Sequence, residues 1–333
     1  MSTCASRPPL VGFTEERLHE LLGRFAGRRI AVVGDLMVDR YYWGAVRRIS
    51  PEAPVPVVEV ESESVRLGGA ANVANNVQAL GGQPLLIGLV GNDHPGAQLA
   101  GILREQGLSA DGLVTDGARP TTVKTRVIAH GQHVVRIDNE SRADCPDHLR
   151  HRIVDAVKYN IRALDAVIIE DYNKGVVTRE IMDEIIAIAG KYGVPTAVDP
   201  KFNHFLDFRN VTVFKPNRRE VEEVLGGRLD TQEEVEKAGH RLLELLGAAN
   251  VLLTRGEEGM SLFEAGGGVT HIPTTAGLVK DVSGAGDTVI STLTMAVAAG
   301  ARMQEAAVLA NCAGGIVVGD VGIVPVETAR LRA

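Results

Sequence analysis

The sequence predicts an α/β protein with a mostly parallel central sheet, and three observations support this. The 333 residues are 45% hydrophobic, which is enough to bury one large core. From residue 147 onward, helical and strand patterns alternate strictly, as in a parallel sheet covered by helices on both faces. Polar residues follow three successive predicted strands, at 170–175, 199–201 and 215–217. Such sheets bind ligands at the carboxyl ends of their strands, so these clusters outline a site.

Composition excludes several classes of protein. The chain has 35 Lys and Arg against 42 Asp and Glu, a net charge of −7, which gives no basic footprint for nucleic acid. Cys4, Cys145 and Cys312 have neither metal nor disulfide spacing, so we expect a reduced, cytoplasmic protein. No apolar run approaches the roughly 18 to 20 residues of a membrane span, and the N-terminus lacks a signal-peptide pattern.

The predicted elements follow in order. Residues 1–12 are expected to form a flexible tail and residues 13–333 one domain. Thr14 is predicted to cap a helix with apolar residues at helical spacing, ending at Gly27, and a strand covers 29–34. Further helices are predicted from 70 to 80 and at 95–106, 147–161, 178–190, 232–246 and 304–318, and strands at 84–90, 166–169, 195–198, 211–214 and 250–253. A hairpin of 260–263 with 269–272 completes the pattern.

Two segments, called the lid segments below, are predicted to form strands outside the central sheet, at about 41–66 and 120–138. Pro51, Pro54 and Pro56 keep the first segment extended and exclude it from the centre of a sheet. In the second, strands at 121–129 and 133–137 flank a short link at 130–132, which predicts a hairpin. Strand alternation places Lys124 and Arg126 on one face, where two cations can hold a substrate phosphate. The alternative is a solvated strand face.

The most informative motif is Asp281-Val-Ser-Gly-Ala-Gly-Asp-Thr288, followed by an apolar run at 289–299. Small residues at the start of a helix let backbone N–H groups, here of Gly284, Ala285 and Gly286, converge on an anion. Asp287 in the same turn can accept a proton from a substrate hydroxyl while the amides stabilise charge on a transferred group. This predicts phosphoryl transfer. A glycine-rich helix entry capped by an acid is the alternative.

Neither common nucleotide motif is present. The first predicted strand ends in Gly34-Asp35-Leu-Met-Val-Asp39 rather than G-x-G-x-x-G, and the chain has no G-x-x-x-x-G-K-[ST]. However, D-x-x-G-A-G-D-T resembles the C-terminal signature of the ribokinase or PfkB sugar-kinase family, and Gly68-Gly-Ala-Ala-Asn72-Val-Ala resembles its N-terminal signature. The resemblance covers the chain after about residue 12. It implies a ribokinase-like three-layer αβα sandwich with a small β-sheet lid, and an ATP-dependent kinase.

The resemblance and the residue patterns together give a set of candidate site residues. Those expected to contact substrate are Asp35, Asp39, Arg66, Gly68, Gly69, Asn72, Lys124, Arg126, Arg136, Asp138, Asp171 and Lys174. Those expected at the nucleotide are Lys201, Asn217, Glu220, Asn311 and the T-x-G-x-x-G of Thr254, Gly256 and Gly259. The family's N-x-x-E, here Asn217 and Glu220, implies water-mediated Mg²⁺ binding. Asp281 and Ser283 match its monovalent cation site, for example for K⁺.

Several of these residues also have plainer interpretations. Arg66 also fits a surface charge, Glu220 a first-turn helix acid, 254–259 a hairpin turn and Asn311 core packing.

The lid sequence narrows the resemblance further. R-I-S-P-E-A-P-V-P-V-V, with the preceding G-D-x-M-x-D-R-Y, resembles heptose 7-phosphate kinases of lipopolysaccharide core synthesis. This implies phosphorylation of D-glycero-β-D-manno-heptose 7-phosphate at O1 to give the 1,7-bisphosphate, and a homodimer paired through lid strands. Because the chain ends at Ala333, without the nucleotidyltransferase fused to some relatives, a monofunctional kinase is expected. A kinase for another phosphosugar, such as a ketohexose phosphate, and a noncatalytic sensor are the alternatives.

Overall fold

A computed structural model describes residues 14–320 and 322–332, so the predicted tail at 1–12 lies outside the described residues. The helices are α1 Glu15–Gly23, α2 Ala70–Ala79, α3 His94–Glu105, α4 Asp147–Asn160, α5 Arg179–Tyr192, α6 Arg218–Leu225, α7 Gln232–Leu246, α8 Ala285–Ala298, α9 Met303–Val317 and α10 Thr328–Arg332. None of these described helices is long and apolar enough to cross a membrane.

The large sheet has nine strands in the order β13-β12-β11-β10-β9-β8-β1-β4-β5. The strands are β1 Arg29–Gly34, β4 Gln83–Gly91, β5 Leu113–Asp116, β8 Ala166–Glu170, β9 Thr196–Asp199, β10 Val213–Phe214, β11 Asn250–Thr254, β12 Met260–Glu264 and β13 Val269–Ile272. Pairing is parallel from β5 through β11 and antiparallel for β12 and β13. The mostly parallel central sheet predicted from the alternation is confirmed.

Helices cover both faces of this sheet and create two cores. Side chains alternate along β1, so Ile30 and Val32 join a core with α1, α2, α3, α8, α9 and α10. Ala31 and Val33 face a second core with α4, α5, α6 and α7. Burial on both faces explains why the parallel strands are nearly continuous apolar runs. The result is the predicted three-layer αβα sandwich.

The four-stranded small sheet lies beside the large one, in the order β3-β2-β6-β7. Its strands are β2 Leu36–Ile49, β3 Pro56–Gly69, β6 Thr122–Ala129 and β7 Gln132–Asn139. Pro56 opens the edge strand β3, a position that tolerates a missing N–H. The β6–β7 turn has positive φ angles at His130 (52°) and Gly131 (76°), as tight hairpins require. β2 starts only one residue after β1, so the sheet begins before the expected residue 41.

Two predicted elements are shorter in the structure, and one strand was not predicted. α1 ends at Gly23 rather than Gly27, because the N–H of Gly27, at φ 77°, bonds across the fold to the carbonyl of Gly81. The strand expected at 211–214 is only Val213–Phe214, because Thr212 and Thr196 exchange side-chain to backbone hydrogen bonds of 3.0 and 3.1 Å instead of ladder bonds. β5 was not predicted at all.

Candidate active site

The amino end of α8 lies against the carboxyl ends of β8 and β9, close to Lys215, the residue that follows β10. Gly284 caps α8 with φ 76°, a left-handed conformation that favours glycine. The amides that follow belong to the first turn of a helix, where N–H groups lack intrahelical acceptors. A Cβ added at Gly286 would lie 3.6 Å from Asp199 Oδ2 and 3.7 Å from Lys215 Nζ, so this turn faces the strand ends. The expected anion site therefore sits at the sheet edge.

Asp287, in the first turn of α8, is only 4% exposed. Its Oδ2 accepts a hydrogen bond from Asn72 Nδ2 at 2.6 Å, and its Oδ1 accepts one from the Tyr172 hydroxyl at 2.9 Å. Burial, together with the charge of Asp199, raises the pKa of Asp287 to about 6, although both hydrogen bonds oppose the shift. A carboxylate with this pKa is ionised at neutral pH and can still take up a proton.

Two further acids surround Asp287. One carboxylate oxygen from each of Glu170, Asp199 and Asp287 lies within 4.8 Å of the other two. Lys215 Nζ pairs with Asp199 Oδ2 at 2.8 Å. Glu170 is 1% exposed, and its Oε2 has no hydrogen-bond partner in the described part of the chain. Burial, and then the charges of Asp199 and Asp287, raise the pKa of Glu170 well above its ordinary value. A bound cation or a bound proton would therefore stabilise this cluster of acids.

The N-x-x-E pair lies at the same sheet edge. Asn217 and Glu220 form a capping box at the start of α6: Asn217 Oδ1 accepts the Glu220 N–H at 2.9 Å, and Glu220 Oε2 accepts the Asn217 N–H at 2.9 Å. Glu220 Oε1 is ion-paired with Lys201 Nζ. The plainer interpretation of Glu220 as a first-turn helix acid thus describes its geometry, and its role in metal binding stays a prediction.

Asp35 has partners other than the expected sugar hydroxyls. It is fully buried, and its carboxylate accepts the backbone N–H groups of Tyr172 (2.8 Å), Lys174 (2.9 Å) and Val176 (3.0 Å). In this structure Asp35 therefore holds the loop after β8. Asp171, in the same loop, is 2% exposed, with burial raising its pKa to about 7.

One face of the small sheet is charged and lies toward this loop. Cross-strand pairs place Arg66, Asp39, Lys124 and Asp138 in one row, and Arg126 pairs with Arg136 in the next. Asp39 is ion-paired with Arg126, and Lys124 Nζ lies 5.5 Å from the centre of the Tyr172 ring. Lys174 Nζ pairs with Glu140 at 2.8 Å, and Arg136 pairs with Asp138 at 3.0 Å. The predicted neighbourhood of these residues is present.

Arg66, Gly68 and Gly69 make contacts within the protein. Arg66 Nη1 donates to the Ile323 carbonyl at 3.0 Å. A Cβ at Gly68 would lie 2.2 Å from Asp39 Oδ2, and one at Gly69 would lie 2.4 Å from the Asp35 carbonyl, at φ 56°. The two glycines thus permit β3 to pack closely on β2, and their contact with substrate stays a prediction.

The remaining nucleotide-side candidates lie in the turn after β11 and in helix α9. Thr254 ends β11, and the T-x-G-x-x-G forms its connection to β12, with Gly259 at φ 84°. Asn311 in α9 is 4% exposed and donates to the Pro273 carbonyl at 2.8 Å, so it holds the segment before the glycine motif.

The two residues expected at a monovalent cation are bonded to each other. Asp281 Oδ1 accepts the Ser283 N–H at 2.9 Å, and Asp281 Oδ2 accepts the Gly322 N–H at 3.0 Å. Their role as cation ligands stays a prediction.

Comparison with known proteins identifies the family. The family model described as "pfkB family carbohydrate kinase" matches residues 28–329. The chain belongs to the PfkB family of carbohydrate kinases. It is accordingly an ATP-dependent sugar kinase, as the resemblance to the two family signatures implied.

Sequence relatives of this PfkB kinase are longer than the chain. "Bifunctional protein HldE" of Geobacter sulfurreducens is 45% identical over 300 residues, which is 90% of this chain and 61% of that protein. The protein of the same name from Caulobacter vibrioides is 44% identical over 321 residues, which is 96% of this chain and 66% of that protein. The chain thus spans less than two thirds of either relative.

Two solved structures share the fold of this PfkB kinase. Arabidopsis thaliana ribokinase complexed with ribose and ATP superposes with a TM-score of 0.73 at 21% identity, covering 92% of this chain and 97% of that one. Escherichia coli phosphofructokinase-2 in complex with potassium also gives 0.73, at 18% identity, with the same coverage. These likenesses confirm the ribokinase-like α/β fold.

PfkB membership implies ATP and a divalent metal, and the donors present fit both. Carboxylates are the ligands preferred by hard divalent cations, and Glu170 has an unpartnered buried oxygen beside Asp199. The first turn of α8, with Lys215 and Lys201 nearby, suits phosphate groups.

Sequence reasoning assigned no role to Glu170, Tyr172, Asp199 or Lys215. The available signal was their position in the three polar clusters that follow successive strands. Strand order and register, which only the fold supplies, place these clusters side by side around Asp287.

Proposed function

We propose that this PfkB kinase phosphorylates D-glycero-β-D-manno-heptose 7-phosphate at O1, giving the 1,7-bisphosphate for lipopolysaccharide inner-core synthesis. The observation that carries the proposal is the position of Asp287. It lies at the amino end of α8, with the charged face of the small sheet on one side and the Lys201 and Lys215 cluster on the other. A phosphosugar and ATP each have a cationic surface beside the same carboxylate. The choice of heptose rests on the resemblance of the lid sequence.

The proposed step transfers the γ-phosphoryl group of ATP to O1 of the sugar. The substrate O1 hydroxyl gives its proton to an Asp287 carboxylate oxygen while O1 forms a bond to the γ-phosphorus of ATP. The bond between that phosphorus and the β–γ bridging oxygen breaks, and ADP leaves with the electron pair. The N–H groups of 284–287 stabilise negative charge on the transferred group. The pKa of about 6 for Asp287 suits a group that is ionised before the step and protonated after it.

The nucleotide is proposed to occupy the edge near β9 and β10. Lys215 and Lys201 would meet its phosphates, with Gly256, Gly259 and Asn311 nearer the nucleoside. A divalent ion, proposed to be Mg²⁺, supplies charge neutralisation on the phosphates when bound, and Asn217 and Glu220 would hold it through water, with K⁺ at Asp281 and Ser283. For Glu220 this requires Lys201 to exchange its carboxylate partner for a phosphate.

Lys124 is the residue we propose for the 7-phosphate. Arg126 and Lys174 already pair with Asp39 and Glu140. Burial, and then the nearby charge of Lys174, lower the pKa of Lys124, so a phosphate at this position would relieve both costs. Unphosphorylated heptose cannot make this contact with Lys124, so we expect it to be a poorer substrate than the 7-phosphate.

The protein is also proposed to be a cytoplasmic homodimer paired through the small sheet. β3 and β7 are its two edges, and Val135 (48% exposed) and Ile137 (56% exposed) lie on the face opposite Lys124. Exposed strand edges and apolar surface favour pairing with a second copy. Sedimentation of the purified chain tests this, and a monomer at all concentrations contradicts it.

The substrate is tested by ADP release from the purified chain with Mg-ATP and K⁺. Heptose 7-phosphate is compared with fructose 6-phosphate, fructose 1-phosphate, ribose and unphosphorylated heptose. We expect heptose 7-phosphate to give the highest kcat/KM and NMR of the product to show phosphate at O1. A ketohexose phosphate as the best substrate would keep the kinase and overturn the heptose assignment. If no sugar is turned over, the noncatalytic sensor is favoured.

A further inference from the structure

Tyr172 links the catalytic carboxylate to both cationic surfaces of the site. Its hydroxyl donates to Asp287 Oδ1 at 2.9 Å. Its ring centre lies 5.5 Å from Lys124 Nζ of the small sheet and 5.4 Å from Lys201 Nζ beyond β9. Ammonium groups within about 6 Å of an aromatic ring are attracted to its face. One side chain therefore contacts the proposed base and the cations assigned to the sugar phosphate and to ATP.

The backbone under Tyr172 is held firmly. The buried carboxylate of Asp35 accepts the Tyr172 N–H and two further N–H groups of the same loop, at Lys174 and Val176. From the other side, Arg119 donates to the Lys174 carbonyl at 3.1 Å. Charge-assisted hydrogen bonds of this kind are among the stronger ones in proteins. The phenol is thus presented to Asp287 by a fixed loop rather than by a mobile one.

Several charged groups surround Asp287, so a neutral hydrogen-bond donor can stabilise its carboxylate without changing the charge of the site. Asp199 at the end of β9 disfavours the ionised form of Asp287, and Glu170 at the end of β8 has a carboxylate oxygen within 4.8 Å of it. Lys215, from the end of β10, favours that form, as do the hydrogen bonds from Asn72 on α2 and Tyr172. The Tyr172 hydroxyl donates to Asp287 at 2.9 Å, so it stabilises the carboxylate without adding a charge to the site.

We propose that Tyr172 is a positioning residue for phosphoryl transfer: its hydroxyl orients the Asp287 carboxylate, and its ring holds Lys124 and Lys201 beside it. This rests on the proposed kinase reaction at the same site. The hydroxyl leaves one lone pair of Asp287 directed at the incoming substrate hydroxyl. The ring holds Lys124 for the sugar phosphate and Lys201 for the ATP phosphates. The hydroxyl and the ring therefore have different functions, and different substitutions remove them.

Tyr172→Phe removes the hydroxyl and keeps the ring. In steady-state assays over a range of pH, we expect the acid limb of kcat/KM to move up by about one pH unit, since a bond to the ionised carboxylate is lost. At pH 6, kcat/KM should fall about fivefold, and below about pH 5 about tenfold, with KM for ATP unchanged. Tyr159→Phe, on the exposed end of α4, is the matched control and should leave the profile in place.

Tyr172→Leu removes the ring as well. We expect KM for both ATP and the phosphosugar to rise about tenfold beyond the effect of Tyr172→Phe, because neither lysine is held at the ring. Thermal unfolding of each variant reports whether the fold is retained. If Tyr172→Phe does not fold, the KM values of Tyr172→Leu are compared with those of the parent, and unchanged values overturn the role of the ring.

The outcomes separate the inference from the proposed function. If the parent turns over no sugar, the proposed function fails, and the positioning role that rests on it fails with it. If the parent is active and both variants keep its pH profile and KM values, the positioning role is overturned. A Tyr172→Phe variant that is faster than the parent also overturns it, because the phenol would then be occupying the place of the substrate hydroxyl.

Discussion

Two carboxylates in this kinase have the same small solvent exposure, but their pKa values are shifted in opposite directions. Glu305 on α9 and Asp287 on α8 are each 4% exposed. Hydrogen bonds from Arg17, against the effect of burial, lower the pKa of Glu305 to about 2, and the Arg302 N–H at 2.8 Å adds to this. Burial and Asp199 raise the pKa of Asp287 to about 6. Glu305 is covered by partly exposed arginines near the surface, whereas Asp287 lies deeper in the protein, so partners and depth together decide the sign of the shift.

The difference separates a structural contact from a catalytic one. At Glu305, the first helix is tied to α9 by an ion pair that stabilises the fold. At Asp287, three acids lie within 4.8 Å of one another and Lys215 is ion-paired with Asp199, so the crowded carboxylates make the electrostatics of the folded state unfavourable. Such arrangements are concentrated at functional sites.

The largest expected effect comes from Asp287→Asn. Without a proton acceptor, kcat should fall by about 10³-fold or more. Removing a buried charge should leave the unfolding temperature no lower than that of the parent, because Asn can still bond to Asn72 and Tyr172. Steady-state kinetics and calorimetry on the same preparation check both. A variant that retains turnover would exclude Asp287 as the base.

Glu305→Gln is expected to have the converse effect. The free energy of unfolding near neutral pH should fall by about 2 kcal/mol, since Arg17 and Arg302 are partly exposed and screened. Urea unfolding measures this, and kcat should not change. Glu244→Gln, whose pair with Arg241 is exposed, is the control and should change the free energy by less than about 0.5 kcal/mol. Equal losses in the two variants would contradict the comparison.

Gly286→Ala tests the anion site without adding backbone strain. Its added Cβ would make ordinary contacts with Asp199 and Lys215, so folding should be preserved. The methyl group would lie where phosphate is expected, and KM for ATP should rise about tenfold. Gly284→Ala, at φ 76° and with its Cβ 3.1 Å from Asn72 Nδ2, should instead lower the unfolding temperature. Identical behaviour of the two variants would argue against this assignment.

The pH dependences of activity and stability should separate. Because the reaction needs ionised Asp287, kcat/KM should fall about tenfold per pH unit below about pH 6 while the protein stays folded. Glu305 has a lowered folded pKa, so its stabilisation is present above about pH 4.5 and is lost as the pH falls toward 2. Circular dichroism and kinetics over one pH series check this. Coincident losses of activity and folding would contradict it.

Local signals accounted for much of the fold. The Thr14 cap, the helix after Gly284 and the alternation after residue 147 all depend on neighbouring residues, and all were predicted. The family signatures likewise located Asp287 and its amides. Elements decided by distant partners were missed or misplaced, such as β5 and the end of α1 at Gly23.

The residues of the site likewise fall into those that local motifs predicted and those that only distant contacts reveal. Asp35 was expected at a sugar, and the sequence could not show that three N–H groups of the loop after β8 converge on its carboxylate. The contact of Tyr172 with Asp287 joins residues 115 positions apart, and that of Asn72 with Asp287 joins residues 215 apart. By itself the sequence determined the fold class, the family and the reaction chemistry, because these follow from local patterns and motifs. Only the tertiary structure decided which charges meet, because strand order and burial set those distances.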